Sequence, residues 1–167
     1  MKPVKKLTLA AILSALGVGL LYLGSLLPNF QLPGAAAAAL VIAVVVIHCG
    51  MWWAAGALAV TGGLAFLLLP DKGPALWFVT VFGTYALVKA LIERLNKPWL
   101  EWLLKLAFFA AALAVMTLVF QTAFQTALPQ WQPVLLYGAL LAAFFAYDIA
   151  CTGLITFYLR RIKPHIK

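Results

Sequence analysis

The chain predicts an all-α integral membrane protein, a bundle of six transmembrane helices with both termini cytoplasmic. Three observations predict it. Of its 167 residues, 66% are hydrophobic and 10% charged, and mean hydropathy is +1.06, far too apolar for a soluble domain of this size. Apolar runs near the roughly 20 residues needed to cross hydrocarbon recur between turn segments. The lysines and arginines gather in three clusters that six spans bring to one side.

The first span runs from about Leu7 to Leu27 and stops at Pro28. Its apolar run is too long for a signal-peptide core and no prompt small-x-small cleavage site follows, so it reads as a retained helix. The uncharged linker Pro28–Pro33 leads to a second span, Gly34 to about Ile47, through the Ala35–Ala39 run. His48, Cys49 and Gly50 form a weak break before a third span, Met51 to Leu69. Pro70-Asp-Lys-Gly-Pro74 is a turn, because two prolines and a glycine oppose helix continuation. Span four covers Ala75–Leu95 and ends at Asn96-Lys-Pro98; span five covers Trp99–Gln125. The loop Leu128–Pro133 leads to span six, residues 133 to 159, and a basic tail, so residues 1–167 form one six-helix domain.

Lipid leaves the backbone only two solutions, helices or a closed barrel. The runs lack the alternating polarity of barrel strands, which selects helices.

Cations concentrate at Lys2, Lys5 and Lys6, at Arg94, Lys97 and Lys105, and at Arg160, Arg161, Lys163 and Lys167. The opposite side carries only Lys72, beside Asp71. Positive charge marks the cytoplasmic face, so the chain is expected to be multi-pass in the inner (plasma) membrane with both termini inside. The net charge of +8 is thus a topology signal, with attraction to lipid headgroups as a second effect. Nucleic-acid motifs are missing, which excludes that partner. Trp77 and Trp131 fall near the outer interface and Trp52, Trp53, Trp99 and Trp102 near the inner one, as an aromatic belt requires.

No HExxH, GxSxG, phosphate loop or spaced carboxylate pair is present, so no enzymatic activity, cofactor or metal is expected. Cys49 and Cys151 lack metal or disulfide spacing and read as buried thiols. Two ionisable residues lie inside spans: Lys89 and Asp148. At 1.5 Å per residue, Lys89 lies about 10 Å above Asn96 and Asp148 about 18 Å above Arg160. Lys89 can snorkel past Glu93 to the helix end, or reach upward to a partner such as Asp148. Asp148 is too deep and too short to snorkel and should face the bundle interior. Tyr137, Phe144 and Asp148 share one helical face, as do Tyr85 and Lys89.

Toward the outside, Asn29, Gln31, Gln121, Gln125, Gln130 and Gln132 accompany Trp77, Trp131 and Tyr137. Uncharged amides with aromatics suit a small heterocyclic solute, and equally an ordinary polar outer surface. The substrate-binding candidates are Asn29, Gln31, Trp77, Tyr85, Gln121, Gln125, Trp131 and Tyr137. The first span carries small residues at four-residue spacing, Ala11, Ala15 and Gly19, and span three repeats this at Ala55, Ala59 and Gly63. Such faces let helices approach closely, within the bundle or against another protein.

The opening KKLTLAAILSALGVGL, with the six-span layout, resembles the substrate-binding S components of energy-coupling-factor vitamin transporters. That resemblance implies an alanine-x-x-x-alanine face, here Ala11 and Ala15, docking on a transmembrane coupling subunit that works with paired ATPases. It also implies a solute site under the loops after helices one, three and five, here Pro28–Pro33, Pro70–Pro74 and Leu128–Pro133. The first of these loops is short for that family, and no vitamin-specific signature is present. The layout is similar as well to the rod-shape-determining membrane proteins, scaffolds of the cell-wall machinery that need no solute. The expected partners are therefore membrane lipid, a coupling subunit with its ATPases, and a small solute.

Overall fold

The computed structural model describes residues 3–27, 30–92, 98–124 and 133–157. Helices account for almost all of them. They are α1 (Pro3–Leu26), α2 (Gln31–Cys49), α3 (Met51–Leu68), α4 (Gly73–Ile92), α5 (Pro98–Phe124) and α6 (Pro133–Phe157). Among the described residues, α1 to α5 contain stretches long and apolar enough to cross a membrane, which makes this a multi-pass membrane protein. Large apolar side chains such as Ile12, Leu67, Leu103 and Leu118 are exposed on the outward faces. In lipid such a surface has no hydrophobic cost.

The chain divides into two compact units, residues 1–116 and 117–167. In the first unit α2 is central and packs against α1, α3 and α4. Its alanines make that position possible: Ala35, Ala38, Ala39 and Ala43 are all buried and let neighbouring backbones come close. The buried stripe of α1, Ala10, Ser14, Gly17, Leu21 and Gly24, advances in alternating steps of four and three. That is the seam of a left-handed helix pair.

Glycines set the closest approaches. A Cβ on Gly34 would lie 3.0 Å from Gly24 Cα and 3.2 Å from the Leu20 carbonyl oxygen, so α1 and α2 meet there almost backbone to backbone. At the other end of the hairpin the Cys49 thiol donates to the Lys6 carbonyl at 3.6 Å.

Several boundaries differ from the sequence expectation, each for a local reason. α2 begins at Gln31, three residues early, because Pro33 falls in its first turn, where the missing N–H needs no acceptor. The break after α2 is Gly50 alone, with φ +96°; His48 and Cys49 complete the helix. A one-residue reversal needs this left-handed backbone, which glycine adopts without steric cost. The expected end of span four at Leu95 lies outside the described residues.

α4 is not uniform. It is α-helical over Gly73–Trp77, π-helical over Phe78–Phe82 and α-helical again over Gly83–Ile92. The wider turn frees carbonyls that lipid cannot satisfy, and threonine hydroxyls take them up. Thr84 Oγ1 donates toward the carbonyls of Val79 (2.9 Å) and Thr80 (3.1 Å), and Thr80 Oγ1 to that of Leu76 (2.6 Å).

The second unit holds the end of α5 and all of α6. On α6, Phe144, Asp148 and Cys151 form a buried face at spacings of four and three, and Ile149 points outward.

Candidate functional site

At the Pro70–Pro74 turn the adjacent pair Asp71-Lys72 splits its charges between two helix ends. Lys72 Nζ donates to the Leu69 carbonyl at 2.6 Å, a cation at the C-terminus of α3. The Asp71 carboxylate accepts the amide of Gly73, the first residue of α4, at 2.9 Å. Each charge opposes the dipole end it touches. The second Asp71 oxygen accepts Gln31 Nε2 at 2.5 Å, tying the start of α2 to the start of α4. Gln31 is therefore engaged in a helix-to-loop clasp and sits in a helix, not in the expected linker.

Trp77 is half-buried on the last turn before the π segment. Tyr85, on the next stretch, is fully buried against Phe108 of α5, ring centroids 5.6 Å apart. Thr80 and Met116 form a second α4–α5 contact, Oγ1 to Sδ 3.5 Å. Together these fix the two helices as antiparallel neighbours.

Lys89 is only 3% exposed, and its Nζ lies 5.9 Å from the Tyr85 ring centroid. The side chain folds back one turn toward the helix start, the direction helical side chains favour. Asp148 is 6% exposed, and its carbonyl accepts Thr152 Oγ1 at 2.8 Å. Its burial meets the expectation of an interior-facing acid.

One buried cation was missed by reading the sequence. Lys105, 9% exposed, has its Nζ 5.8 Å from the Trp102 ring centroid. Its nearness to Pro98 grouped it with the interface cations, but its flanks, Leu103-Leu104 and Leu106-Ala107-Phe108-Phe109, are those of a span.

Asn29, Gln125, Gln130, Trp131 and Gln132 lie outside the described residues. Gln121 falls on α5 and Tyr137 on α6. Of the candidate solute residues, the described contacts thus engage Gln31 with Asp71 and Tyr85 with Lys89 and Phe108. Among the described residues no group of three His, Cys, Asp or Glu side chains is placed to hold a metal ion.

The two faces of α1 are sharply divided. Ala10, Ser14, Gly17, Leu21 and Gly24 pack inward, whereas Ala11, Ala15 and Gly19 are exposed. A Cβ on Gly19 would meet nothing within 4 Å, while one on Gly17 would touch Thr61 Cγ2 at 3.1 Å. Of the comparable residues on α3, Ala59 and Gly63 are also exposed, and Ala55 is partly covered. Compared with known proteins, the chain matches no family model, no curated protein and no solved structure.

Proposed function

We propose that the protein is an S-component-like subunit that binds a small organic solute, of the vitamin or heterocycle class, and works with a transmembrane coupling subunit and paired ATPases. In this reading α6 is the sixth span, and both termini face the cytoplasm of the cell in whose inner membrane the chain sits. The supporting observation is the outward face of α1. Its other face is consumed by α2 and α3, yet Ala11, Ala15 and Gly19 leave a smooth small-residue track along the exposed side. In lipid, such tracks let a second helix approach closely enough for extensive van der Waals contact.

Ala11→Leu with Ala15→Leu tests the docking face, because the exposed positions let the bundle fold unchanged. Co-purification with the coupling subunit should be lost; an unchanged complex removes this face from the mechanism. A thermal-shift screen of the purified chain against vitamins and heterocycles tests the solute. Absence of stabilisation by every candidate turns the assignment toward a membrane scaffold.

A further inference from the structure

The α2–α3 hairpin is held at both ends. At one end Gly50 alone reverses the chain, and the neighbouring Cys49 thiol donates to the Lys6 carbonyl. At the other, the Asp71 carboxylate accepts Gln31 Nε2 from the start of α2 and the Gly73 amide just beyond α3. Lys72 Nζ turns back onto the Leu69 carbonyl instead of reaching away from the helix. Held in this way, these polar groups do not retreat along the axis as a snorkelling side chain does.

The apolar height between the two ends is small. α3 has 18 residues, about 27 Å of helix. Trp52 and Trp53 stand in its first turn, Trp52 exposed and Trp53 half-buried. Tryptophan at a helix end marks the headgroup level of a leaflet. From Trp53 to the Leu69 carbonyl is then about 24 Å. On α2 the rise from Gln31 to His48 is about 26 Å. A typical hydrocarbon core is about 30 Å thick, and tilting a helix only lowers the height it spans. α1 differs, because Lys6 to Leu26 rises about 30 Å, as an ordinary core requires.

The short hairpin meets lipid on the outward face of α3, where Val60, Leu64, Leu67 and Leu68 are exposed. A wall lower than the core is met by local thinning of the bilayer, at a cost that rises with each ångström of mismatch. Phospholipids with short acyl chains avoid that cost. We infer that the exposed face of α3 is fitted to a hydrocarbon layer about 5 Å thinner than usual and gathers short-chain phospholipids beside it. The inference rests on the membrane reading alone, so a failed solute screen or an undisturbed coupling complex leaves it standing.

The first test uses the purified full chain in phosphatidylcholine nanodiscs whose monounsaturated acyl chains have fourteen, sixteen, eighteen or twenty-two carbons. Tm should be highest with the fourteen- or sixteen-carbon lipid and fall as the chains lengthen. A flat profile, or a maximum at eighteen carbons or more, would overturn the inference, and no variant is needed. The second test asks whether the effect belongs to α3. Gly17 of α1 faces Thr61 of α3, so their neighbours Leu16 and Val60, both exposed, lie at one depth. Leu16→Cys and Val60→Cys are each labelled with a fluorophore in a chain carrying Cys49→Ala and Cys151→Ala. In a bilayer mixing long-chain lipid with brominated fourteen-carbon lipid, quenching at position 60 should exceed that at position 16 about twofold. Equal quenching at the two positions would overturn the assignment to α3.

Discussion

Gln31 Nε2 donates to Asp71 Oδ2 at 2.5 Å, so one carboxylate holds the start of α2 and, through the Gly73 amide, the start of α4. A hydrogen bond to a charged group contributes about 1.5–3 kcal/mol, less where water competes. Asp71→Ala should therefore cost about 2 kcal/mol, because it removes both bonds, and Gln31→Ala about 1 kcal/mol. A double-mutant cycle by chemical denaturation in detergent checks this. Strictly additive losses would mean the two side chains do not act together.

Gly34 of α2 and Gly19 of α1 predict a contrast within one hairpin. A leucine at Gly34 would strike the Gly24 backbone, where even a Cβ would come to 3.0 Å of Cα. Backbone cannot move aside as a side chain can, so overpacking should exceed the usual 1–3 kcal/mol and disrupt the hairpin. Gly19→Leu, with open space around its Cβ, should change stability by less than about 0.5 kcal/mol. Thermal unfolding of the two variants side by side decides it; equal destabilisation would contradict the backbone contact.

The π segment of α4 makes a third prediction. Thr84→Val keeps the side-chain shape but removes the donor shared by the Val79 and Thr80 carbonyls. Polar contacts inside membrane bundles average about 0.6 kcal/mol and reach about 1.7, and this one serves two acceptors, so a loss near 1 kcal/mol is expected. Amide exchange should quicken over residues 79–84 and stay unchanged in α2. Uniform exchange along α4 would count against a local role.

Hydropathy located the helices because lipid demands long apolar runs whatever their packing. It could not see features that depend on which way a residue faces. Gly50 was legible as part of a weak break, but the positive φ that makes it the whole break was not. Nothing in Phe78–Phe82 distinguishes a π turn from an α turn, and the close approach of α3, with Gly62 beside Val79 and Leu58 beside Gly83, shows only in the structure. Lys89 showed the same limit: its depth in the span and its shared face with Tyr85 were readable, but the near-complete burial of that face was not. Asp148 could be assigned an interior position because a short acid has no other solution.

Gly50 itself should resist substitution. At φ +96° and ψ 172° any side chain is strained against the backbone, which costs about 1–3 kcal/mol. No neighbouring atom lies within 4 Å of that Cβ position, so the whole effect is backbone strain. Gly50→Asn should lose as much, because ψ 172° lies outside the left-handed helical well that asparagine tolerates. An alanine variant as stable as the native chain in thermal unfolding would remove strain as the explanation.

Thr61 predicts the opposite sign. Its side chain is fully buried, its methyl group faces Gly17 of α1, and its Oγ1 has no hydrogen-bond partner among the described residues. A buried hydroxyl without a partner carries an uncompensated desolvation cost of about 1–3 kcal/mol, reduced in lipid, where the unfolded helices are also poor in partners. Valine replaces the hydroxyl by a methyl of similar size and keeps the contact with Gly17. Thr61→Val should therefore be neutral to stabilising by up to about 1 kcal/mol, whereas Thr61→Ala should destabilise by opening a gap on α1. Unfolding midpoints of both variants measure the difference. A destabilised Thr61→Val would show that the hydroxyl is satisfied after all, and that α3 is held to its neighbours by a polar contact as well as by packing.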